Sequence, residues 1–122
     1  MPSLSTAAEI GNYGERVAAA FLRRHGYRVL TRNYETKGGE IDLVCRHGDV
    51  LVFVEVRSRA GEMFGRPGET IDARKEEALR RAARRYLELL DREDIFYRFD
   101  VVEVRLKAGA IPTCTLVPNF FA

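Results

Sequence analysis

Apolar residues recur at two different periods along the chain, and these periods predict where helices and strands form. From about Ala7 to His25 they return every three or four positions, as in an amphipathic helix, and Gly26 is placed to end it. The same period from Asp72 to Leu90 predicts a second helix with Asp72 as its N-cap. The first stripe is Ile10, Tyr13, Val17 and Phe21; the second is Leu79, Ala82, Ala83, Tyr86, Leu87 and Leu90.

Strand-like runs fill most of the remaining chain. They lie at Tyr27–Tyr34, Gly39–Val44, Val52–Arg57, Tyr97–Leu106 and Thr113–Phe121. The fourth run is apolar on both faces and is expected inside a sheet, with its Asp100 paired to a nearby arginine, whereas Pro112 and Pro118 favour an edge position for the fifth. The resulting order, αβββαββ, predicts an α/β fold, with a central mixed sheet flanked by helices, in a single domain spanning residues 1–122.

A short turn joins the second and third runs and predicts their register. Gly48 and Asp49 suit the two central positions of a tight hairpin, with Gly48 at positive φ. If His47 pairs with Val50, counting outward places Val44 opposite Phe53, Asp42 opposite Glu55 and Glu40 opposite Arg57. A three-residue loop would instead put Asp42 and Glu55 on opposite faces unless a bulge restored them.

Two carboxylates at such a short distance repel each other. The predicted pairing of Asp42 with Glu55 therefore requires something that reduces this repulsion. A shared proton, a cationic side chain or a bound metal can do so. Because oxygen-only ligation favours a hard cation, Mg²⁺ or Mn²⁺ is expected here rather than zinc. The alternative is a solvated Asp and Glu on an exposed sheet face, neutralised in part by Arg57.

Two further charged side chains belong to the predicted helices. Glu15 is followed on its own side by Ala18, Ala19 and Leu22, which places it at the edge of the buried face or, alternatively, in solvent. Lys75 lies on the core-facing side of the first turn of the second helix, where a cation opposes the helix dipole. It either reaches the carboxylates or extends along an apolar edge into solvent.

The irregular stretch from Ser58 to Ile71 separates the third strand from the second helix. It contains Phe64, which could stack on a nucleic-acid base or anchor the loop in the core. Arg59, Arg66 and Arg74 lie in or beside this stretch, and they are candidates for contacts with phosphates.

Composition gives only limited information about the partners, metal sites and location of the protein. The chain has 122 residues, 46% of them hydrophobic and 31% charged, with a net charge of +2, so overall charge alone does not indicate a nucleic-acid partner. Cys45 and Cys114 are far apart and lack the spacing of a metal site. No apolar run approaches the roughly 20 residues of a membrane span, and no signal peptide is recognisable, so we expect a cytoplasmic protein without membrane contact.

The motif strands carry a family resemblance. Gly-Glu-Ile-Asp-Leu-Val at 39–44 and Val-Phe-Val-Glu-Val-Arg-Ser-Arg at 52–59 resemble the YraN family of small bacterial proteins. The likeness runs from Gly11 through Lys75 to Phe121. That family is similar to the PD-(D/E)XK nucleases, especially the archaeal Holliday junction resolvases.

This resemblance implies a restriction-endonuclease-like core and metal-dependent phosphodiester hydrolysis. It makes Asp42 and Glu55 metal ligands and Glu15 an accessory carboxylate. Arg57 stands where the nuclease motif has lysine; arginine cannot act as a base, but it can neutralise charge on the attacked phosphate. Our hypothesis is that Lys75 replaces the missing lysine.

We therefore expect an endonuclease dependent on Mg²⁺ or Mn²⁺ that acts on DNA, in branched or flapped structures. Nothing in the sequence indicates base reading, so recognition by shape is expected. Work on symmetric junctions would favour a homodimer. The alternatives are a nucleic-acid-binding module that has lost turnover, as Arg57 suggests, and a protein-interaction scaffold.

Overall fold

The elements follow the order that the periodicity predicts. The computed structural model describes residues 6–60 and 71–120. They form α1 (Ala7–Arg24), β1 (Arg28–Thr36), β2 (Gly39–His47), β3 (Val50–Ala60), α2 (Ala73–Leu90), β4 (Phe96–Leu106) and β5 (Thr113–Val117). Phe64 and Arg66 lie outside the described residues, so the roles expected for them stay predictions.

The strands form one mixed sheet in the order β1-β2-β3-β4-β5. Neighbouring strands are antiparallel except β3 and β4, which run parallel and are connected through α2. Leu22 of α1 packs in a cluster on one face, and Leu79 of α2 packs in a second cluster on the other. The predicted α/β class, the inner position of β4 and the edge position of β5 are confirmed.

Mostly small residues, rather than the large apolar residues of the predicted stripe, occupy the fully buried face of helix α1. Thr6 and Glu9 form a capping box at its start, and Gly26 adopts a φ of 85° just beyond its end. The buried positions are Gly14, Ala18, Ala19 and Leu22, whereas the predicted stripe is only partly buried around them. A Cβ on Gly14 would overlap the Ser58 side chain. Small residues therefore set the close approach of α1 to β3.

The turn between β2 and β3 has the predicted two-residue form. Gly48 has a φ of 61°, and the pairs run from His47–Val50 to Leu43–Val54. Five successive pairs match the register obtained by counting from the turn. The alternative three-residue loop is therefore excluded.

Helix α2 begins and packs as predicted, except at its last residue. Asp72 accepts a hydrogen bond from the Lys75 backbone N–H at 2.8 Å. Leu79, Ala82 and Ala83 are buried, but Leu90 remains 40% exposed, so its assignment to the core was wrong. Periodicity identifies a face of a helix but not how far along that face the partner sheet extends.

A buried carboxylate joins three separate parts of the chain. Asp100 accepts hydrogen bonds from the Arg98 Nε at 3.0 Å, the Tyr27 hydroxyl at 2.9 Å and the Asn119 backbone N–H at 2.8 Å. The predicted pairing of Asp100 with an arginine is confirmed. Within the described ranges, neither helix is long and apolar enough to cross a membrane.

Candidate functional site

A cleft of about 740 Å³ opens at the end of the sheet beyond the last pair of β2 and β3. Its walls come from the first half of α1, the first residues of β2, the final residues of β3 and the start of α2. The ionisable side chains that line it include Glu15, Glu40, Asp42, Glu55, Arg57 and Lys75. Segments distant in sequence thus meet at one opening.

The β2–β3 ladder stops where this cleft begins. The pairs end at Leu43–Val54, and the Asp42 Oδ2 accepts a hydrogen bond from the Val56 N–H at 2.8 Å. Alternation along the ladder would have directed that N–H to a carbonyl of β2. A side-chain carboxylate therefore takes the place of a backbone acceptor.

This ending corrects the predicted register beyond Leu43. Asp42 does not pair with Glu55 across the ladder, and Glu40 pairs with Glu35 of β1 instead of Arg57. Asp42 and Glu55 still lie close enough for their side chains to interact, and both line the cleft. The proximity of the two carboxylates was predicted, but it occurs beyond the end of the strand pairing, where Asp42 bonds to the Val56 N–H.

A reversal in side-chain direction accompanies the end of the ladder. Strict alternation would place Ile41 on the same face as Leu43, yet Ile41 packs with Val44 in the cluster against α2. Asn33, between the paired residues Arg32 and Tyr34 of β1, has a left-handed φ of 53°. Asn33 and Asp42 both lie between the pairs Arg32–Leu43 and Tyr34–Ile41, and Asp42 lines the cleft.

The two carboxylates share one nearby cation. Asp42 and Glu55 are 9% and 7% exposed, and the Lys75 Nζ lies 3.0 Å from the Glu55 Oε2. Burial, then a hydrogen bond and the charge of Glu55, raise the pKa of Asp42 to about 8. A carboxyl group with a pKa near 8 is largely protonated at neutral pH, which relieves the repulsion from Glu55.

Lys75 remains an ammonium group in this setting. Burial lowers its pKa, but the Glu55 charge and hydrogen bond, with smaller effects of Asp42 and Glu40, outweigh burial and raise the pKa above its ordinary value. The contact agrees with the prediction that Lys75 reaches the carboxylates. Its side chain is 43% exposed, so the ammonium also faces the open cleft.

Glu15 contributes a third carboxylate on the α1 side. Burial, followed by the charge of Asp42, raises its pKa, while Arg32 and Asn33 partly oppose the shift. Its Oε1 is buried without a hydrogen-bond partner. Of the two positions that the sequence left open for Glu15, the structure has the one at the edge of the buried face.

The predicted phosphate-binding arginines occupy different surroundings. Arg57 and Arg59 line the cleft and are half-buried, whereas Arg74 is exposed on α2 and does not belong to the described cleft lining. The Arg59 Nε lies 2.7 Å from the Oε1 of Glu103, whose side chain is fully buried. Sequence reasoning missed Glu103, although a charge within a strand that is apolar on both faces was the available signal.

The donors in the cleft suit a hard divalent cation. Asp42 and Glu55 offer carboxylate oxygens only, and the raised pKa of Asp42 together with the unpartnered Glu15 Oε1 indicates that positive charge would be accommodated. Across the described part of the chain, no cluster of three His, Cys, Asp or Glu side chains is arranged to hold a metal. Two carboxylates fit Mg²⁺, which commonly keeps several waters and takes further oxygens from a phosphate.

Comparison with known proteins gives a consistent result. A model described as uncharacterised protein family UPF0102 matches residues 14–104. A UPF0102 protein of Symbiobacterium thermophilum is 46% identical over 112 residues, covering 92% of this chain and 95% of that protein. A UPF0102 protein of Beutenbergia cavernae is 48% identical over 102 residues, covering 83% and 86%. The matched segment includes Glu15, Asp42, Glu55 and Lys75.

Proposed function

This chain belongs to the uncharacterised protein family UPF0102, the YraN family that its motifs resemble, and from that premise we propose that it is a metal-dependent endonuclease acting on DNA. The observation that carries the proposal is the buried pair Asp42 and Glu55, beside Lys75, in an open cleft. Such clusters of perturbed ionisable groups in a cleft are typical of catalytic sites.

The proposed cofactor is Mg²⁺ or Mn²⁺, with Asp42 and Glu55 as its ligands. When bound, such an ion lowers the pKa of a water molecule and polarises a phosphate oxygen. Protonation and metal binding compete at Asp42, because both relieve the repulsion between the two carboxylates.

Lys75 and Arg57 together supply the positive charge that a single lysine supplies in the nuclease motif. The raised pKa of Lys75 keeps its side chain protonated. An ammonium group has no lone pair, so it does not take a proton from water. It can orient Glu55 and donate hydrogen bonds to the attacked phosphate, whose negative charge grows in the transition state. Arg57 can do the same from the end of β3 but cannot act as a base.

The charges along the cleft favour recognition of shape over sequence. Arg57 and Arg59 lie beside the carboxylates at the end of β3, where they would contact phosphates that flank the cleavage site. Phosphate contacts position a nucleic acid without reading its bases. We therefore propose branched or flapped DNA as the substrate. For a symmetric four-way junction, the proposal includes a homodimer, which light scattering during size-exclusion chromatography would detect.

Arg57 also motivates a second candidate function. With the motif lysine absent, the chain could bind branched DNA without cleaving it. This binding module would keep the basic residues and the cleft but show no turnover with Mg²⁺ or Mn²⁺. A protein-interaction scaffold would show neither binding nor cleavage.

A cleavage panel separates these functions. Linear, flapped, forked and four-way DNA are incubated with Mg²⁺, Mn²⁺ or EDTA and with wild-type, Asp42→Ala, Glu55→Ala or Glu93→Ala protein. Glu93 is an exposed carboxylate in the turn after α2 and serves as the matched control. Circular dichroism of each variant verifies its fold.

The proposal expects nicking that requires metal, survives Glu93→Ala and disappears in both site variants. Binding of branched DNA without nicking would replace the nuclease with the binding module. Absence of both binding and nicking would refute the nuclease and the binding module alike. Nicking that persists in both site variants would identify a contaminating nuclease and leave this cleft without the proposed activity.

Lys75 is tested with Lys75→Met and Lys75→Arg in the same panel. If the ammonium stabilises charge on the phosphate, Met lowers the cleavage rate by roughly 10²–10³-fold, as for loss of one transition-state donor. Arg retains part of the rate because it keeps the charge. Equal rates for wild type and Lys75→Met would exclude this role.

A further inference from the structure

The two sides of the cleft differ in chemistry. On one side, the row Ala7, Gly11 and Glu15 recurs at four-residue intervals along α1, with Ile10 beside it. On the other side lie Lys75 and the arginines at the end of β3. We call Ala7, Ile10 and Gly11 the α1 wall; it is uncharged, and its one large side chain, Ile10, is partly buried against the core.

Gly11 in this wall has no packing reason to be glycine among the described residues. A Cβ built on Gly11 meets no described atom within 4 Å, and its φ lies outside the left-handed region. Gly14, one turn away, contrasts with it because a Cβ there would overlap Ser58. Glycine inside a helix lowers helix stability relative to alanine, so Gly11 carries a cost that packing within residues 6–60 and 71–120 does not explain.

Close approach of a ligand to the helix backbone would explain that cost. The wall leads along the helix to Glu15, whose buried Oε1 lacks a hydrogen-bond partner, and to the buried Asp42 and Glu55. Among the described residues, the space beside Gly11 and the carboxylate site thus belong to the same cleft.

We infer that the α1 wall is a contact surface for the sugar and base of the nucleotide next to the phosphate that would bind the metal ion proposed at Asp42 and Glu55. This inference rests on the proposed function. The polarity of the cleft sets the orientation of the strand: phosphates face Lys75 and Arg57, while the less polar sugar and base lie against Ile10 and the backbone at Gly11. Gly11 is therefore a specificity-determining position that admits the strand.

The test fills the space above Gly11 without disturbing the fold. Gly11→Ala and Gly11→Leu are compared with Ala20→Leu, which adds similar bulk on the exposed side of the same helix. The probe is fluorescein-labelled flapped DNA in Ca²⁺, with anisotropy recorded over a range of NaCl concentrations. Thermal unfolding is followed by circular dichroism.

We expect Gly11→Ala to raise Tm by about 2–6 °C, because it removes the cost of glycine in the helix. The same variant should bind the flapped DNA at least about 5-fold more weakly, and Gly11→Leu more weakly still, by steric exclusion. Ala20→Leu should bind like wild type.

Salt dependence distinguishes the two sides of the cleft. The Gly11 variants should keep the wild-type slope of log K against log salt, whereas Arg57→Gln should reduce it by about 0.7–0.9 through loss of one phosphate contact. If wild type and the Gly11 variants bind the probe equally well, or if Gly11→Ala lowers Tm, the inference about the α1 wall is wrong but the proposed function still stands. If wild type does not bind the probe, the proposed function fails with it.

Discussion

Asp42→Asn should change the pH dependence of stability in a way that tests the electrostatics of the cleft. Asparagine has nearly the shape of a protonated aspartate and can still accept the hydrogen bond from the Val56 N–H with its amide oxygen. It removes the negative charge beside Glu55. The substitution therefore separates the charge of Asp42 from its structural role at the end of the ladder.

The magnitude follows from the shift of the Asp42 pKa. Folding raises that pKa from 3.8 to about 8, and each unit is worth about 1.36 kcal/mol, which gives a ceiling of about 6 kcal/mol. The cleft is open to water and Lys75 can move toward Asp42, so part of this energy is lost to relaxation. We expect about 2–3 kcal/mol.

The sign follows from the direction of the shift. Because the folded pKa exceeds the unfolded one, protonation of Asp42 stabilises the fold fully below about pH 4, and this contribution is lost as the pH rises through about 8. Asparagine does not titrate. Asp42→Asn should therefore match wild type near pH 4 and be about 2–3 kcal/mol more stable at pH 8.5 in the absence of metal.

Urea unfolding in EDTA measures this difference between pH 4 and pH 9. Circular dichroism at 222 nm is the signal, since the chain has no tryptophan. Glu93→Gln, at an exposed carboxylate, is the control and should show no such trend. A difference between Asp42→Asn and wild type that is constant with pH, or a less stable Asp42→Asn at pH 8.5, would refute the reasoning.

Three further predictions address packing, the Asp100 network and metal binding. Gly14→Ala should lower the free energy of unfolding by about 1–3 kcal/mol through overlap with Ser58, and Gly14→Ala/Ser58→Gly should recover most of it in urea titrations; unchanged stability would contradict the close packing. Asp100→Ala should cost about 3–5 kcal/mol because it leaves Arg98 without its carboxylate, and a loss under about 1 kcal/mol would show that water replaces the pair. Affinity for Mn²⁺, measured by calorimetry in buffers of different ionisation enthalpy, should rise as the pH approaches 8 with release of a proton from Asp42; binding independent of pH would contradict competition between proton and metal.

Much of the fold could be predicted from local patterns. The 3.6-residue period located both helices, and the Gly48 turn set the register of five strand pairs correctly. Asp72 as N-cap and Asp100 as the partner of an arginine also followed from residue type and position. These features depend on interactions close in sequence or on the high cost of burying an unpaired charge, so they are visible without the tertiary structure.

The sequence was least informative about where elements meet. The predicted α1 stripe does pack against the core, but smaller residues such as Gly14 and Ala18 are the ones fully buried, because small side chains allow the helix to approach the sheet closely. Leu90 repeats in phase with the core yet is 40% exposed. The 3.6-residue period shows which side of a helix faces the core, but it does not show how far along the helix the sheet extends.

At the candidate site, too, some features followed from the sequence and others only from the tertiary structure. By itself, the sequence determined that Asp42 and Glu55 lie on adjacent strands joined by the Gly48 turn, because the turn and two-residue alternation are local. Only the tertiary structure decided that the ladder stops at Leu43–Val54, that the Asp42 carboxylate bonds to the Val56 N–H, and that Lys75 reaches Glu55 at 3.0 Å. The physical reason is that burial and through-space charge depend on distances between segments far apart in sequence, which neither periodicity nor spacing encodes.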